Sequence, residues 1–373
     1  MPKTPNPETT SPAATPTPLD PIFSDSRRVS KFLAKGDPLD ILAREIGPRF
    51  ADYRRRWDLA KSFQEIPPFP LHVDYELKSL CNLRCPMCPM ATRQGPPDPQ
   101  TLSLSQTKAL IDEGAENGQA SMGFGGLWEP LTSKDLPELI AHGRRKGLLE
   151  AMFNTNGLLL DAKTSQALIE AGLTRLMVSL DAATPETYAQ MRPGSDFRQV
   201  EENIMAFLAA RRKAKSTLPL LRLSFCLTKL NQPELPAFLE RWHNKADFFS
   251  LQSYGRFDDS APALFPEARG PAGPSDRTVP VAPPSGRCAQ PFKRLMVRHD
   301  LTVLPCCDLS GLTLTLGRAD QGLSQIWQSL SLAALRQKLK DSPFDDLPEA
   351  CQKCQRKFQP PNLPHSQIPP AIA

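Results

Sequence analysis

From residue 71 onward, the pattern of hydrophobic and polar positions changes period repeatedly. Apolar residues at every second position, or in nearly continuous runs, predict strands, whereas apolar residues three and four positions apart predict helices. Strand-type segments occur at LHVDYELK (71–78), SMGFGG (121–126), LEAMFNTNG (149–157), LTRLMVSLD (173–181), LPLLRLSFCLT (218–228) and ADFFSLQSY (246–254). A helical pattern separates each of these segments from the next. The chain therefore alternates between strand and helix about six times.

This alternation predicts an α/β fold, with a parallel sheet covered by helices. We expect a partial (β/α)6 TIM-like barrel over residues 71–260. Its functional site would lie in the loops at the carboxyl ends of the strands. A doubly wound open sheet would produce the same alternation, so the pattern alone leaves both architectures open.

The composition changes on both sides of this region. Seven of the first twenty-one residues are proline. We expect residues 1–30 to be a disordered tail, because such a composition buries too little apolar surface to offset its ordering entropy. Residues 31–70 have helical spacing of apolar residues and predict a helical extension. The expected units downstream are a proline-rich linker (261–287), a small C-terminal domain (288–355) and a loose tail (356–373).

Charge and hydropathy narrow the classes of partner. The formal net charge is only +5, and no long basic run contains interleaved aromatic residues, so a nucleic-acid partner is not expected. No apolar run approaches the roughly 20 residues that a membrane span needs, and the first residues lack the apolar core of a signal peptide. We therefore expect a cytoplasmic protein, and the mild charge leaves an acidic small molecule open as a partner.

Three cysteines stand close together in CNLRCPMCPM, after the first predicted strand. Cys81, Cys85 and Cys88 are spaced four and three residues apart. A structural zinc ion takes four ligands, but no fourth Cys or His is near this segment, since His72 lies back inside the strand. Three thiolates with an open fourth position suit an iron–sulfur cluster that leaves one iron free for another ligand. The pattern favours a cluster, with zinc and uncoordinated thiols as alternatives.

This C-x-x-x-C-x-x-C motif resembles that of the radical S-adenosylmethionine (SAM) superfamily. The resemblance implies that Cys81, Cys85 and Cys88 hold a [4Fe–4S] cluster, whose open iron binds the amino and carboxylate groups of SAM. An electron from the cluster cleaves SAM to a 5′-deoxyadenosyl radical, which takes a hydrogen atom from the substrate. The resemblance also implies an electron donor such as flavodoxin or ferredoxin.

Further motifs at successive strand ends agree with this resemblance. GFGGLWEPL is similar to the family's glycine-rich Glu–Pro motif, and NTNG and VSLDAATPETYAQMRPG end the next two strands. The resemblance assigns the following residues to SAM binding: Gly126, Glu129, Asn156, Ser179, Asp181 and Arg192. Two positions depart from the family pattern. Met87 stands where an aromatic residue is frequent, and Trp128 stands where glycine is common.

The C-terminal region contains a second group of cysteines, Cys288, Cys306, Cys351 and Cys354. FKRLMVRHDLTVLPC predicts a β-hairpin that brings the first two together, and LSQIWQSLSLAALRQKLK predicts an amphipathic helix that leads to the C-x-x-C pair. Four thiolates suit zinc or a [4Fe–4S] cluster. Beside the first motif, the group resembles the shortened twitch form of the SPASM extension, which implies one auxiliary [4Fe–4S] cluster.

Two cysteines fall outside these groups. Cys307 is either a packed thiol or the ligand in place of Cys306, and we favour Cys306. Cys226 stands alone in an apolar run, where a cysteine usually packs as a small hydrophobic residue.

An auxiliary cluster suits an oxidation, because it can accept the electron that remains after a hydrogen atom and a proton leave the substrate. The resemblance therefore implies an oxidoreductase that dehydrogenates an alcohol or amino-alcohol carbon of a small molecule. Peptide modification is the first alternative, although residues 1–70 are too rich in proline and too poor in strands for a leader-binding winged helix. A zinc-binding scaffold without catalysis is an alternative of another class.

Overall fold

The computed structural model describes residues 29–33, 36–88, 90, 98–253, 287–307 and 309–356. Its strands are β1 (Val29–Leu33), β2 (His72–Tyr75), β3 (Ser121–Phe124), β4 (Glu150–Thr155), β5 (Arg175–Ser179), β6 (Leu220–Leu227), β7 (Phe248–Ser253), β8 (Arg294–Val297), β9 (Thr302–Leu304) and β10 (Gly317–Arg318). Its helices are α1 (Pro38–Ile46), α2 (Pro48–Lys61), α3 (Leu104–Glu116), α4 (Leu136–Arg145), α5 (Ala162–Glu170), α6 (Pro185–Met191), α7 (Phe197–Lys213), α8 (Leu235–Trp242), α9 (Leu323–Trp327), α10 (Leu330–Asp341) and α11 (Glu349–Arg356).

Several predicted segments lie outside the described residues. They are the loose tail beyond residue 356, the linker at 261–286 and the disordered tail up to residue 28. Within the described ranges, no helix combines the length and the apolar character that crossing a bilayer requires.

One mixed sheet of ten strands organises the described residues, in the order β1-β7-β6-β5-β4-β3-β2-β8-β9-β10. Each neighbouring pair from β2 to β7 is parallel. These six strands stand side by side in chain order, which is the winding of a barrel; a doubly wound sheet reverses direction at a switch point. The predicted partial (β/α)6 barrel is confirmed.

The two faces of the parallel strands differ in chemistry because successive side chains point to opposite sides. On β6, Leu221, Leu223 and Phe225 join the main apolar core beneath the helices. The intervening side chains, Arg222 and Ser224, face the inside of the barrel. This inner surface, called the lumen below, is therefore polar and leads to the edge where the strands end.

Helices α1 and α2 cover the opposite end of the barrel. Phe50, Tyr53 and Trp57 pack with residues at the amino ends of several strands, including Leu71 before β2 and Phe248 on β7. β2 and β7 stand at opposite ends of the row of parallel strands. The two helices contact residues at both ends because the sheet curves around them. The lumen thus has an apolar floor, and the carboxyl edge of the strands is left for chemistry.

The first strand differs from the sequence prediction. Residues 29–33 were expected to belong to the disordered tail and the start of the helical extension. They form β1, which pairs antiparallel with β7. The extension further along is helical, as α1 and α2. A strand at this position depends on the free edge of β7, which local sequence does not reveal.

The predicted C-terminal hairpin is confirmed. Strands β8 and β9 pair antiparallel, and β8 lies parallel to β2 with Tyr75 opposite Val297. The hairpin therefore continues the barrel sheet. The indole Nε1–H of Trp327 donates to the carbonyl oxygen of Pro67 at 2.7 Å, and the Glu113 carboxylate accepts hydrogen bonds from two backbone N–H groups at the start of α9. Strand pairing and side-chain contacts thus join the C-terminal unit to the barrel.

The single helix predicted over residues 323–340 is wrong in one respect. The segment folds as two helices, α9 and α10, separated by Gln328 and Ser329. The Ser329 side chain accepts a hydrogen bond from the backbone N–H of Leu332 and caps the second helix. Serine at this position competes with helix continuation because its hydroxyl bonds the local backbone. The C-x-x-C pair follows on its own helix, α11.

Candidate active site

The cysteine loop, residues 81–90, follows β2 at the carboxyl edge of the sheet. The Cys88 N–H donates to the Cys85 carbonyl oxygen at 2.8 Å, which closes a tight turn between the two thiols. Arg84 Nη1 donates to the carbonyl oxygens of Cys81 and Leu83, each at 2.9 Å. These bonds hold the three cysteines on one compact loop.

The loop packs between two small apolar groups. On one side are Leu83, Cys85 and Met87 of the loop, with the buried Met191 at the end of α6. On the other side, Met90 packs with Trp128, and both Cys81 and Cys88 touch this pair. The environment of the thiols is therefore largely apolar.

Burial raises the pKa of all three thiols, to about 11 for Cys85. A thiol in such a place stays protonated at neutral pH unless a positive partner is present. The irons of a cluster would supply that charge. Two donors already reach the sulfur atoms: the Leu83 N–H lies 3.5 Å from Cys81 Sγ, and Arg192 Nη1 lies 3.8 Å from Cys85 Sγ. Three thiols with N–H donors around them fit an iron–sulfur cluster.

Asp181 fixes the arginine that reaches Cys85. It follows β5, and its Oδ2 accepts hydrogen bonds from Nε, at 3.0 Å, and Nη2 of Arg192. Its Oδ1 accepts the backbone N–H of Cys226 at 2.6 Å. Burial acts to lower the pKa of Arg192, but the adjacent Asp181 charge and the Cys85 thiol outweigh burial and raise it. The structure thus brings together Asp181 and Arg192, two residues that the sequence predicts to bind SAM, beside the predicted cluster ligand Cys85.

Glu129 occupies the junction between β3 and β4. Its Oε1 accepts hydrogen bonds from the Thr155 hydroxyl at 2.7 Å and the Leu131 N–H at 3.1 Å, and its Oε2 accepts the Asn156 N–H at 2.8 Å. Burial raises the pKa of this carboxyl group, and these three donors act in the opposite direction. All three observed donors to this carboxylate are protein groups. Through them Glu129 links the segment after β3 to the segment at the end of β4.

The other predicted SAM residues lie at the same edge. Asn156 Nδ2 donates to Asn82 Oδ1 at 2.7 Å and ties the NTNG turn to the cysteine loop. Ser179 ends β5 opposite Ser224 of β6 and is partly exposed. Gly126 has a φ of +159°, and a Cβ there would lie 2.5 Å from Glu76 Oε2. Glycine at this position therefore permits close approach of the backbone to a buried carboxylate.

Glu76 connects this edge to the C-terminal hairpin. Its Oε2 accepts the Leu127 N–H at 3.3 Å, and its Oε1 lies 2.5 Å from His299 Nδ1 and 3.5 Å from Arg298 Nε. Both Glu76 and His299 are buried. His299 lies in the segment that the sequence predicts to form the hairpin. The sequence contains no signal for its partner, because that contact depends on the pairing of β8 with β2.

Trp128 stands at the position where the family resemblance leads us to expect glycine. It is 8% exposed, packs with Met90, and is also in contact with Leu312. Its indole Nε1–H is buried and has no hydrogen-bond partner among the described residues. A buried donor without a partner is costly, so a bound group with an acceptor at this position would satisfy it.

The second group of cysteines converges on one cavity. Cys288, Cys306, Cys351 and Cys354 all line it, together with apolar residues of α10. A Cβ at Gly311 would lie 2.6 Å from Cys306 Sγ, so glycine lets the chain pass close to that sulfur. Four thiols around an apolar space fit a closed cluster or metal site.

The geometry also separates Cys306 from Cys307. Cys306 lines the cavity, whereas Cys307 is exposed and its Sγ accepts a hydrogen bond from Arg294 Nη1 at 3.2 Å. These positions support the choice of Cys306 as the ligand. Cys226 is partly buried and packs against the apolar group of the cysteine loop. The apolar residues around Cys226 in the sequence do not indicate that it lies beside the cysteine loop. That location depends on the position of β6 in the barrel.

Comparison with known protein families identifies both cysteine-containing regions. A model of the Radical SAM superfamily matches residues 75–223, and a model of an iron–sulfur cluster-binding domain, SPASM, matches residues 288–355. The chain contains a radical SAM domain followed by a SPASM domain. The first match contains the cysteine loop, Glu129, Asp181 and Arg192, and the second spans the whole cysteine-lined cavity. Both domains indicate [4Fe–4S] clusters as cofactors.

Curated relatives match up to half of this chain. The Fe-coproporphyrin III synthase of Methanosarcina barkeri is 33% identical over 169 residues, covering 45% of this chain and 40% of the relative. The GTP 3′,8-cyclase of Chlorobaculum tepidum is 33% identical over 194 residues, covering 50% of this chain and 55% of the relative. The chain thus spans about half the length of the curated relatives it matches.

Solved radical SAM structures share the overall fold. Streptococcus suis SuiB bound to the precursor peptide SuiA has a TM-score of 0.55 at 14% identity, covering 77% of this chain and 70% of SuiB. Native anSMEcpe with bound AdoMet has a TM-score of 0.53 at 15% identity, covering 78% of this chain and 96% of anSMEcpe. At such low identity the likeness shows the fold, and the substrate of this chain must be argued separately.

Proposed function

We propose that this radical SAM enzyme dehydrogenates an alcohol or amino-alcohol carbon of a small molecule. The observation that carries the proposal is the cavity lined by the second group of cysteines, next to a hairpin that extends the barrel sheet beside β2. A second redox centre in the same body gives a route for an electron that leaves the substrate.

The proposed roles of the chain's residues follow from the site. Cys81, Cys85 and Cys88 hold the cluster that, when bound, supplies the electron for cleavage of SAM to a 5′-deoxyadenosyl radical. Cys288, Cys306, Cys351 and Cys354 hold an auxiliary cluster of the twitch type. Gly126, Glu129, Asn156, Ser179, Asp181 and Arg192 form the edge against which SAM binds.

The overall change is a balanced two-electron oxidation. A hydrogen atom leaves the substrate carbon and a proton leaves the attached hydroxyl or amino group, so that a carbonyl or imine forms. An auxiliary cluster held by Cys288, Cys306, Cys351 and Cys354 would supply the acceptor for the one remaining electron. Electrons for SAM cleavage come from a protein donor of the flavodoxin or ferredoxin type. A substrate that only rearranged would not require the auxiliary site.

Peptide modification is the second candidate, and its support is the likeness in fold to SuiB, which was solved with a precursor peptide. The names of the curated relatives favour a small molecule, since they specify GTP and Fe-coproporphyrin III. Those relatives are matched over about half of their own length, so cyclisation and haem-precursor chemistry are further reactions to include in a substrate screen.

Transfer of deuterium tests this proposal. The holoenzyme is incubated anaerobically with SAM, a reductant and C-deuterated amino-alcohols, or with deuterated peptides, and 5′-deoxyadenosine is examined by mass spectrometry. The proposal predicts deuterium in 5′-deoxyadenosine and a carbonyl or imine product, three mass units lighter than the deuterated substrate, from the amino-alcohols. Transfer from the peptides alone would favour the second candidate. Zinc in place of iron at both cysteine groups would instead support the non-catalytic scaffold.

A further inference from the structure

The lumen contains a set of buried or partly buried arginines, and nearly all are matched with a carboxylate. The pairs on the inner face and at its carboxyl edge are Arg175 with Glu150, Arg192 with Asp181, Arg294 with Asp74, and Arg298 with Glu76. Such pairing is expected, because a charge removed from water is costly unless an opposite charge compensates it.

Arg222 on β6 departs from this rule. It belongs to the same layer as Met177 and Asn154, which stand opposite each other on the neighbouring strands. Its Nη2 donates to Asn154 Oδ1 at 3.0 Å, and its Nε is buried without a hydrogen-bond partner among the described residues. In the part of the chain that the structure describes, no carboxylate forms an ion pair with this guanidinium.

The surroundings disfavour the charge on Arg222. Burial lowers the pKa of its guanidinium to about 10, and the nearby Arg175 acts in the same direction. At neutral pH the side chain remains a cation, however, and no carboxylate among the described residues forms an ion pair with it. An arginine of this kind provides planar N–H donors suited to a carboxylate or a phosphate.

The depth of Arg222 separates it from the SAM edge. It precedes Cys226 by four residues, which corresponds to about 13 Å along a strand, and Cys226 is the residue whose N–H meets Asp181. Phe248 stands opposite Arg222 on β7 and packs with Tyr53 and Trp57 of the floor. The guanidinium therefore lies near the closed end of the lumen, well below the cysteine loop.

We propose that Arg222, with Asn154 beside it, binds an anionic group of the substrate, a carboxylate or a phosphate, deep in the lumen. The anion compensates the unmatched guanidinium, and the amide of Asn154 helps to orient that guanidinium. The body of the substrate then extends towards the edge where hydrogen abstraction would occur. This assignment of the substrate class rests on the proposed function, but its anion site can be measured without turnover.

The test uses the full chain with both clusters assembled anaerobically. Its thermal midpoint is measured by circular dichroism in chloride, inorganic phosphate or acetate at matched ionic strength. We expect phosphate, acetate or both to raise the midpoint of the parent protein by about 2 °C or more relative to chloride. A rise with phosphate alone identifies a phosphorylated substrate, and one with acetate alone identifies a carboxylate.

Three variants make the assignment specific. R222Q should abolish the rise, and R222K should keep part of it because it retains the charge. R175Q is the matched control from the same lumen. It should lower the midpoint in chloride, because Glu150 loses its partner, but it should keep the rise with the anion.

N154D provides an independent check that does not remove the arginine. It places a carboxylate where Asn154 Oδ1 now lies 3.0 Å from Arg222 Nη2. The variant should raise the midpoint in chloride and no longer respond to the anions. Equal anion responses in the parent, R222Q and N154D would overturn the proposal. So would a rise produced by SAM alone that R222Q abolishes, because the site would then belong to SAM.

Deuterium transfer and the anion response can fail separately. Absence of SAM cleavage in a protein that shows the Arg222-dependent response would overturn the proposed function and leave the anion site in place. SAM cleavage and deuterium transfer in a protein without the Arg222-dependent response would overturn the anion site and leave the proposed function in place.

Discussion

At the scale of single residues, two buried carboxylates organise the edge of the barrel. Glu129 accepts three hydrogen bonds from protein groups, and Asp181 accepts hydrogen bonds from the Arg192 guanidinium and from a backbone N–H of β6. The sequence identified both positions through motifs, and the structure adds that their carboxylates are held by the chain itself. Their contribution to SAM binding, which stays a prediction, would therefore come through the groups that they hold in place.

The Asp181–Arg192 pair should be important for stability. In D181N the buried guanidinium would lose its counter-charge, and loss of one partner of a buried pair costs about 3–5 kcal/mol. Asparagine also tolerates the left-handed backbone at this position, where φ is +61°. Urea unfolding of D181N, compared with the parent under anaerobic conditions, measures the loss.

The matched control is D52N. Asp52 pairs with Arg55 on the exposed surface of α2, at 2.8 Å. A surface pair contributes about 0–1 kcal/mol, so D52N should unfold almost like the parent. Similar losses in D181N and D52N would show that the buried pair does not stabilise this edge as described.

At the scale of elements, local patterns predicted most strands and helices and missed those that depend on distant partners. The barrel alternation, the hairpin and the cysteine loop follow from residue periodicity and spacing. Strand β1 was missed because it depends on the edge of β7. The contact between Glu76 and His299 was missed because it requires β8 to add to the sheet beside β2. Arg222 lies within a predicted strand, and its sequence context does not show which charges surround it. Only the folded barrel shows that no described carboxylate forms an ion pair with it.

The break between α9 and α10 has a testable local cause. The Ser329 hydroxyl caps α10, and replacing such a cap with alanine costs about 0.5–2 kcal/mol. We expect S329A to lower the free energy of unfolding by that amount in urea titrations. K338A, on the exposed face of the same helix, should change it by less than about 0.5 kcal/mol. Equal effects of the two substitutions would contradict the capping role.

At the scale of the whole molecule, one sheet carries two groups of cysteines. The loop after β2 and the hairpin that begins with β8 are neighbours in that sheet. The limits of the C-terminal domain stay a prediction, but its described part is continuous with the barrel through strand pairing and the contact of Trp327 with Pro67. Loss of the second cluster should consequently weaken the molecule while leaving the first cysteine group intact.

Removal of two auxiliary ligands tests this arrangement. C351A/C354A should retain about four irons of an expected total of about eight, and it should melt at a lower temperature because the cavity loses its cluster. Iron and sulfide analysis after anaerobic reconstitution measures the first effect. C307A is the control and should keep the full iron content. Full loss of iron in C351A/C354A would show that the two groups do not assemble independently, and loss in C307A would identify Cys307 as the ligand.

The most direct test of the central claim is the formation of 5′-deoxyadenosine. The reconstituted protein is mixed with dithionite and SAM in the absence of oxygen, and the product is quantified by chromatography beside C81A/C85A/C88A. The account predicts 5′-deoxyadenosine from the parent protein and none from the triple variant, which should still hold about four irons at the auxiliary site. A parent protein with its full iron content that forms no 5′-deoxyadenosine, or that forms as little as the triple variant, would contradict the account.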